Sequence, residues 1–570
     1  MSTSSTPEVR DVAIVGGGVS GVYTGFRLLG ADLSKSPLLR QWAGAGGGAH
    51  GAGHGGNAGK LSVSVFETSQ RIGGRLLSAR APGAPHVVCE LGGMRYMSSQ
   101  TLVKCLVENE LKLPVKPQVV DKPENLAYLR GRRLRQGQLT KEPDVIPYDL
   151  AWNERGQDPS GLMGTSLAQI IPGVDKLTGP ALRKMLDAFR LDDKLLREHG
   201  FWNVVARAMS HEAYALSTAT VGYDSLGANG NAVDQTFEYF DFTPTTKYSL
   251  FVDGYETVPW KLRDGFVAAG GKVEMGATLR SFDAAKMPDG SQGVLLQFRD
   301  RPPLLARALV LAMPQRSLRM LDATGPVLTD PDVQELIGSV FPVPLFKMFL
   351  AYPFPWWESV GVKEGRSLTD TMVRQCYYWA VEGRQPGADP KNTNALLMAY
   401  DDLSNVLFWG GLRGFTSYAG KVGAGAGAGA GGRAGAGAPL RALKLFLDRV
   451  GPNGTPGDDN WRINRAPETM VAEMHREIVE MHGVKYAPEP YAAAYHDWSD
   501  DPYGGGVHFW NVGYDSTAVM DRMTQPLPDF PCYVCGEAYS QGQTWAEGAL
   551  QTAEIVLQQR FGLAPPPWVK

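Results

Sequence analysis

The run Asp11-Val12-Ala13-Ile14-Val15-Gly16-Gly17-Gly18-Val19-Ser20-Gly21 constrains the fold more than any other stretch of the chain. The apolar residues Val12 to Val15, mostly Val and Ile, predict a strand buried on both faces. That strand runs straight into Gly16-x-Gly18-x-x-Gly21, after which Val22, Gly25, Phe26 and Leu29 recur at helical spacing. In such a strand–turn–helix unit, Gly16 allows the tight turn and Gly18 lets a pyrophosphate approach the backbone. Gly21 lets helix and strand pack closely, and the helix N-terminus faces the phosphate charge. A dinucleotide site is therefore expected near the head of the chain.

At 570 residues the chain is too long for one core, so two or three domains are expected. A net charge of −3 and a pI near 6.3 leave no electrostatic footprint for nucleic acid or an anionic membrane. No apolar run is long enough to span a bilayer, and the first one is the nucleotide strand rather than a leader. The expectation is a soluble, cytoplasmic protein. Five cysteines argue against a disulfide framework, and Cys532-x-x-Cys535 lacks the second pair that a zinc site needs. Gly/Ala-rich tracts at 43–59, carrying His50 and His54, and at 423–438 cannot supply a packed core and read as insertions. No metal site is expected.

A strand from Leu61 to Phe66 ends in Glu67, the place where a carboxylate holds a ribose hydroxyl. The gap from the glycines is more than twice the usual spacing of about 20 residues, and the 43–59 insertion accounts for the excess. Next come Arg71-Ile72-Gly73-Gly74-Arg75 and Glu90-Leu91-Gly92-Gly93-Met94-Arg95. This order of motifs resembles the flavin amine oxidases, the family of monoamine, polyamine and L-amino acid oxidases, over nearly the whole chain. Near the end, Gly536-Glu537 and a helix from about Thr544 resemble the family's C-terminal FAD motif. The resemblance implies an α/β fold with two domains: a Rossmann-like FAD domain discontinuous in sequence, and a mixed-sheet substrate domain with an added helical subdomain. The boundaries it implies are 8–90, 243–335 and 525–563 for the FAD domain, 91–147 and 336–524 for the substrate domain, and 148–242 for the helical part. FAD contacts are expected from Gly16, Gly18, Gly21, Glu67, Gly74, Arg75, Gly92, Gly93, Met94, Gly536 and Glu537. Val507 occupies the position of the flavin-linking cysteine of monoamine oxidases, so FAD is expected to be non-covalent.

The substrate class turns on Arg95. A guanidinium is permanently charged and offers a planar fork for a carboxylate. In the amino-acid oxidases, an arginine after G-x-M holds the substrate α-carboxylate, and Gly92-Gly93-Met94-Arg95 matches that pattern. The resemblance further implies that Tyr378 donates to the same carboxylate and that Trp545 walls the α-amine. It gives Lys347, in an apolar stretch, a role beside flavin N5. The expected activity is oxidative deamination of an L-amino acid with oxygen, giving a 2-oxo acid, ammonia and hydrogen peroxide. An amino-acid 2-monooxygenase and a primary-amine or polyamine oxidase are the alternatives, and a flavin-binding scaffold is a further one. The expected partners are the amino acid and oxygen, with no nucleic acid and no membrane, and a homo-oligomer is possible. Side-chain preference is open: Glu382 or Asp224 could meet a basic group.

Overall fold

The computed structural model describes residues 7–45, 59–223, 228–241, 246–413 and 458–569. His50, His54, Asp224 and the 423–438 tract lie outside the described residues.

The Val12–Val15 run forms the centre of a strand, Glu8–Val15, in a seven-stranded sheet. Val63–Glu67 lies on one side of it, with Ile14 opposite Val65, and Leu304–Leu311 on the other, with Ile14 opposite Val310. Lys272–Met275 extends the sheet beyond Val63–Glu67, and Cys532–Val534 pairs with the end of Leu304–Leu311. All of these pairings are parallel. The strands come from four distant stretches of sequence, and their C-terminal ends lie together. Gln292–Phe298 and Leu279–Lys286 add an antiparallel edge. The central strand is fully buried from Arg10 to Val15, as expected for a parallel sheet covered on both faces.

Close approach explains the glycines. Gly16 has φ +114°, and a Cβ there would lie 2.2 Å from the Ala312 carbonyl oxygen. A Cβ on Gly21 would lie 1.9 Å from the Gly16 oxygen, so helix Val19–Leu29 can leave the strand only with glycine at this position.

A second seven-stranded sheet carries the rest of the site, in the order Ala492–Asp497, Leu345–Tyr352, Ala395–Asp402, Gln375–Val381, Arg366–Thr369, Leu126–Leu129, Arg132–Arg135. The last two strands are a hairpin turned by Arg130 and Gly131, both at positive φ. One face of this sheet packs on helix Glu468–His482 through Met470, Met474 and Ile478. The opposite face packs on the strand pair Ser78–Ala81 and Ala84–Glu90 through Phe349, Leu396 and Met398. Helices Pro159–Ile170, Gly179–Ala188, His211–Val221 and Ala232–Asp241 form a separate helical layer.

A buried ion pair ties the loop after Val63–Glu67 to the start of helix Thr257–Ala268. Arg71 Nη1 donates to Glu256 Oε1 at 2.7 Å, and the two side chains are 6% and 0% exposed. Glu256 Oε2 also accepts the Ser78 N–H at 3.1 Å. Removing one partner leaves a buried charge uncompensated. Glu256→Gln is therefore expected to lower the folding free energy by about 3–5 kcal/mol in chemical denaturation, and a loss below about 1 kcal/mol would contradict this.

Candidate functional site

A cavity of about 1580 Å³, counting its open mouth, begins at the C-terminal ends of the parallel strands. Gly16, Gly18, Glu67, Gly74 and Arg75 line one end, and Lys347, Tyr400, Trp498 and Trp545 line the other. The first end suits a pyrophosphate. Helix Val19–Leu29 begins there with Gly18 as its N-cap, no side-chain cap and no acidic residue in its first turn. Glu67 Oε2 accepts the Gly17 N–H at 2.7 Å and Oε1 the Ser69 N–H at 2.8 Å, so this carboxylate also fixes the glycine loop.

Glu537 joins the ends of the chain. Its Oε1 accepts the backbone N–H of His508 at 2.8 Å and of Thr544 at 3.0 Å. Its Oε2 accepts Arg75 Nη1 at 2.8 Å and lies 2.9 Å from His508 Nδ1. Thr544, held by this bond, has φ +72°, an unusual conformation for a β-branched residue. It turns the chain so that Trp545, the N-cap of helix Ala546–Ile555, lines the cavity. Gly536, at φ +139°, lines it as well, and so does Val507.

Gly92 and Gly93 line the cavity, but Met94 does not. Its side chain packs in the core beside Leu77, Leu91 and Leu345. Lys347 is 4% exposed, and its Nζ donates to the Gly92 carbonyl. It lies 4.7 Å from the centre of the Tyr400 ring, its partner across the strand pair. Burial pushes its amine well below the ordinary lysine range, Arg95 pushes it the same way, and Glu90 opposes both.

Arg95 is 9% exposed. Its strand, Arg95–Met97, pairs with Tyr248–Phe251, which places the guanidinium carbon 4.2 Å from the Tyr248 ring centre. Nη1 donates to Gln118 Oε1 at 3.1 Å. Among the described residues no aspartate or glutamate forms an ion pair with it; its electrostatic neighbours are Tyr377, Tyr223, Tyr248 and Arg366. Arg95 is not among the residues that line the cavity; its charge acts on Lys347 and Tyr400, which do line it.

Tyr378 does not join this group. Its hydroxyl lies 2.6 Å from Ser367 Oγ and 2.9 Å from His482 Nε2, on the face of the second sheet that packs on helix Glu468–His482. Its neighbour Tyr377 takes the other face, with Lys347 and Tyr400, and donates to Gln375 Oε1 at 3.2 Å. One step along a strand reverses the face. Tyr377 thus shares the face of Lys347 and Tyr400, one position away from the tyrosine that the sequence pointed to. Glu382 is also elsewhere: its carboxylate accepts the His86 N–H at 3.1 Å. Cys532 and Cys535 are buried free thiols, and the described residues hold no metal-binding cluster.

Burial alone would raise the Glu537 carboxyl, but Arg75, His508 and the Thr544 N–H hold it well below its ordinary value of 4.5. The stabilisation is present in full above about pH 4.5 and fades as pH falls toward the lower folded value. The stability difference between the parent protein and Glu537→Gln should accordingly be largest near pH 7 and shrink below about pH 4.5. A difference independent of pH would contradict it.

Comparison with known proteins agrees with this geometry. The chain matches the flavin containing amine oxidoreductases over residues 52–406 and 453–556. It is 25% identical to Aplysianin-A of Aplysia kurodai, covering 99% of this chain and 92% of that protein. It is 23% identical to Achacin of Lissachatina fulica, covering 97% and 93%. Bothriechis schlegelii L-amino acid oxidase Bs29 is 22% identical over 70% of this chain and 69% of its own. Putrescine oxidase bound to putrescine shares the fold, with a TM-score of 0.57 at 16% identity over 97% of this chain and 99% of that one. No helix among the described residues is long and apolar enough to cross a membrane. Glycine loop, uncapped helix N-terminus and Arg75 fit a dinucleotide, FAD is the cofactor, and the chain belongs to the flavin containing amine oxidoreductases.

Proposed function

We propose that this protein is an L-amino acid oxidase that forms a 2-oxo acid, ammonia and hydrogen peroxide. The observation that carries the reading is Arg95: a guanidinium 9% exposed, with no carboxylate partner among the described residues, whose charge acts on the cavity-lining Lys347 and Tyr400. Leaving such a charge buried and unpaired costs several kcal/mol, and the Tyr248 ring offsets only part of that. A substrate α-carboxylate supplies the missing anion, whereas a simple amine brings a second cation. The L-amino acid oxidase among the relatives supports the same class.

In this reading Arg95 clamps the carboxylate, and the Tyr377 hydroxyl rotates from Gln375 to donate to it. Fixing that end orients the α-carbon toward the cofactor, so that positioning supplies much of the rate. Trp545 walls the amine in an apolar surround that disfavours the ammonium form. FAD, when bound, accepts a hydride from the α-carbon and passes the electrons to oxygen. Lys347, near neutral in its buried setting, exchanges a proton beside it.

Arg95→Ala should raise KM for L-amino acids roughly 10- to 100-fold, matching the loss of a charge-assisted pair of about 1.5–3 kcal/mol. Peroxide release would measure it, and an unchanged KM would overturn the clamp. With Val507 in place of a thiol, acid precipitation of the protein should leave the flavin in the supernatant. Flavin retained in the pellet would show a covalent link elsewhere.

A further inference from the structure

We propose that His508 is a positioning residue of the cofactor site, holding Glu537 in the orientation that presents Arg75 to FAD. The inference rests on FAD as the cofactor and not on the choice of substrate. His508 lies on strand Val507–Trp510, opposite Pro342 of strand Val340–Val343. Val507 lines the cavity; His508, the next residue, does not, and it is 0% exposed. From there one residue grips both oxygens of one carboxylate. Its backbone N–H donates to Glu537 Oε1 at 2.8 Å, and its Nδ1 lies 2.9 Å from Oε2. An ionised carboxylate only accepts, so Nδ1 carries the proton and donates it. Nε2 is buried and has no hydrogen-bond partner among the described residues. A proton relay needs a partner at each ring nitrogen. This ring has one, on Glu537, and so it holds rather than relays.

The other bonds to the carboxylate show what the grip serves. Oε1 also accepts the Thr544 N–H at 3.0 Å, and Oε2 accepts Arg75 Nη1 at 2.8 Å. The roughly four acceptor directions of the carboxylate are thereby filled, half of them by His508. Arg75 Nη1 donates as well to the Gly506 carbonyl at 2.9 Å, two residues before His508, which closes a ring of bonds through the strand. Nε and Nη2 of Arg75 have no partner among the described residues, and the side chain is 21% exposed in the cavity wall. Those nitrogens are left for a phosphate oxygen. Without the imidazole, Oε2 has Arg75 as its one donor and draws that charge away from the cofactor. The loop itself stays attached, because Trp510, on the same face of the strand, donates Nε1 to the Ser540 carbonyl at 3.2 Å.

The test is the rate at which FAD leaves diluted holoenzyme, read as the rise in flavin fluorescence. His508→Leu removes the Nδ1 donor and keeps the backbone one. It should release FAD roughly 10-fold faster, the low end of what a hydrogen bond to a charged group is worth. His508→Asn carries an N–H bonded to Cγ, as Nδ1 is, and should stay within about threefold of the parent protein. His508→Gln carries the same amide one carbon further out and should resemble His508→Leu. In an Arg75→Ala background there is no guanidinium to position, and His508→Leu should add less than about twofold. If His508→Leu yields no holoenzyme, the comparison of the Asn and Gln variants decides the matter. Equal release from those two, or an effect of His508→Leu undiminished by Arg75→Ala, marks a packing role and overturns the proposal. Failure of the substrate reading shows differently: no turnover of amino acids, with the pattern of FAD release intact.

Discussion

A guanidinium held out of water calls for an anion, and the segment carrying Arg95 supplies none. The strand Arg95–Met97 turns the side chain inward, against the Tyr248 ring and the Gln118 amide oxygen, both neutral acceptors of its charge. Other buried arginines in this protein are paired: Arg10 with Glu8, Arg27 with Glu554, Arg71 with Glu256. The contrast within one molecule is what makes Arg95 informative. On the proposed reading, a substrate carboxylate is the partner that Arg95 lacks among the described residues.

The rest of the architecture brings that waiting charge to the cofactor. Parallel strands from four distant stretches bring their C-terminal ends to one edge, where the glycine turn and the N-terminus of helix Val19–Leu29 face the cavity. Glu537 then draws in Arg75, His508 and Thr544, binding the early motif to the last helix through a single carboxylate. On the second sheet, the alternation that buries Phe346 and Met348 against one layer points Lys347 at the other. Cofactor end and substrate end are thus positioned by two sheets, and the Arg71–Glu256 pair holds the loop that carries Gly73 and Gly74.

What could be read from the sequence was the local chemistry. Gly16, Gly18 and Gly21 are legible because each answers a clash within a few residues, and the Arg130-Gly131 turn is legible for the same reason. Glu67 was recognisable as the end of a strand, though not its bond to the Gly17 N–H, which depends on the loop folding back across the sheet. Tyr378 shows where the reading stops. In Gln375–Val381 the residues Gln375 to Tyr378 are buried on both faces, so hydrophobicity carries no parity, and the choice between adjacent tyrosines needs the neighbouring strands. Met94 is a related case: in a run where Gly92 and Gly93 reach the cavity, the next side chain fills the core behind it. Tyr223 follows helix His211–Val221 while Tyr248 and Tyr400 lie on two different strands, and no spacing in the sequence links them.

The central claim is that the site is built for the acid end of its substrate as well as the amine. It is tested most directly by comparing kcat/KM for L-phenylalanine with that for phenethylamine, its counterpart without the carboxylate, in the parent protein. A site with an unmatched buried guanidinium should favour the amino acid by roughly 100-fold or more, since losing the partner of a buried charge is the costly case. Equal values, or a preference for the amine, would contradict the account.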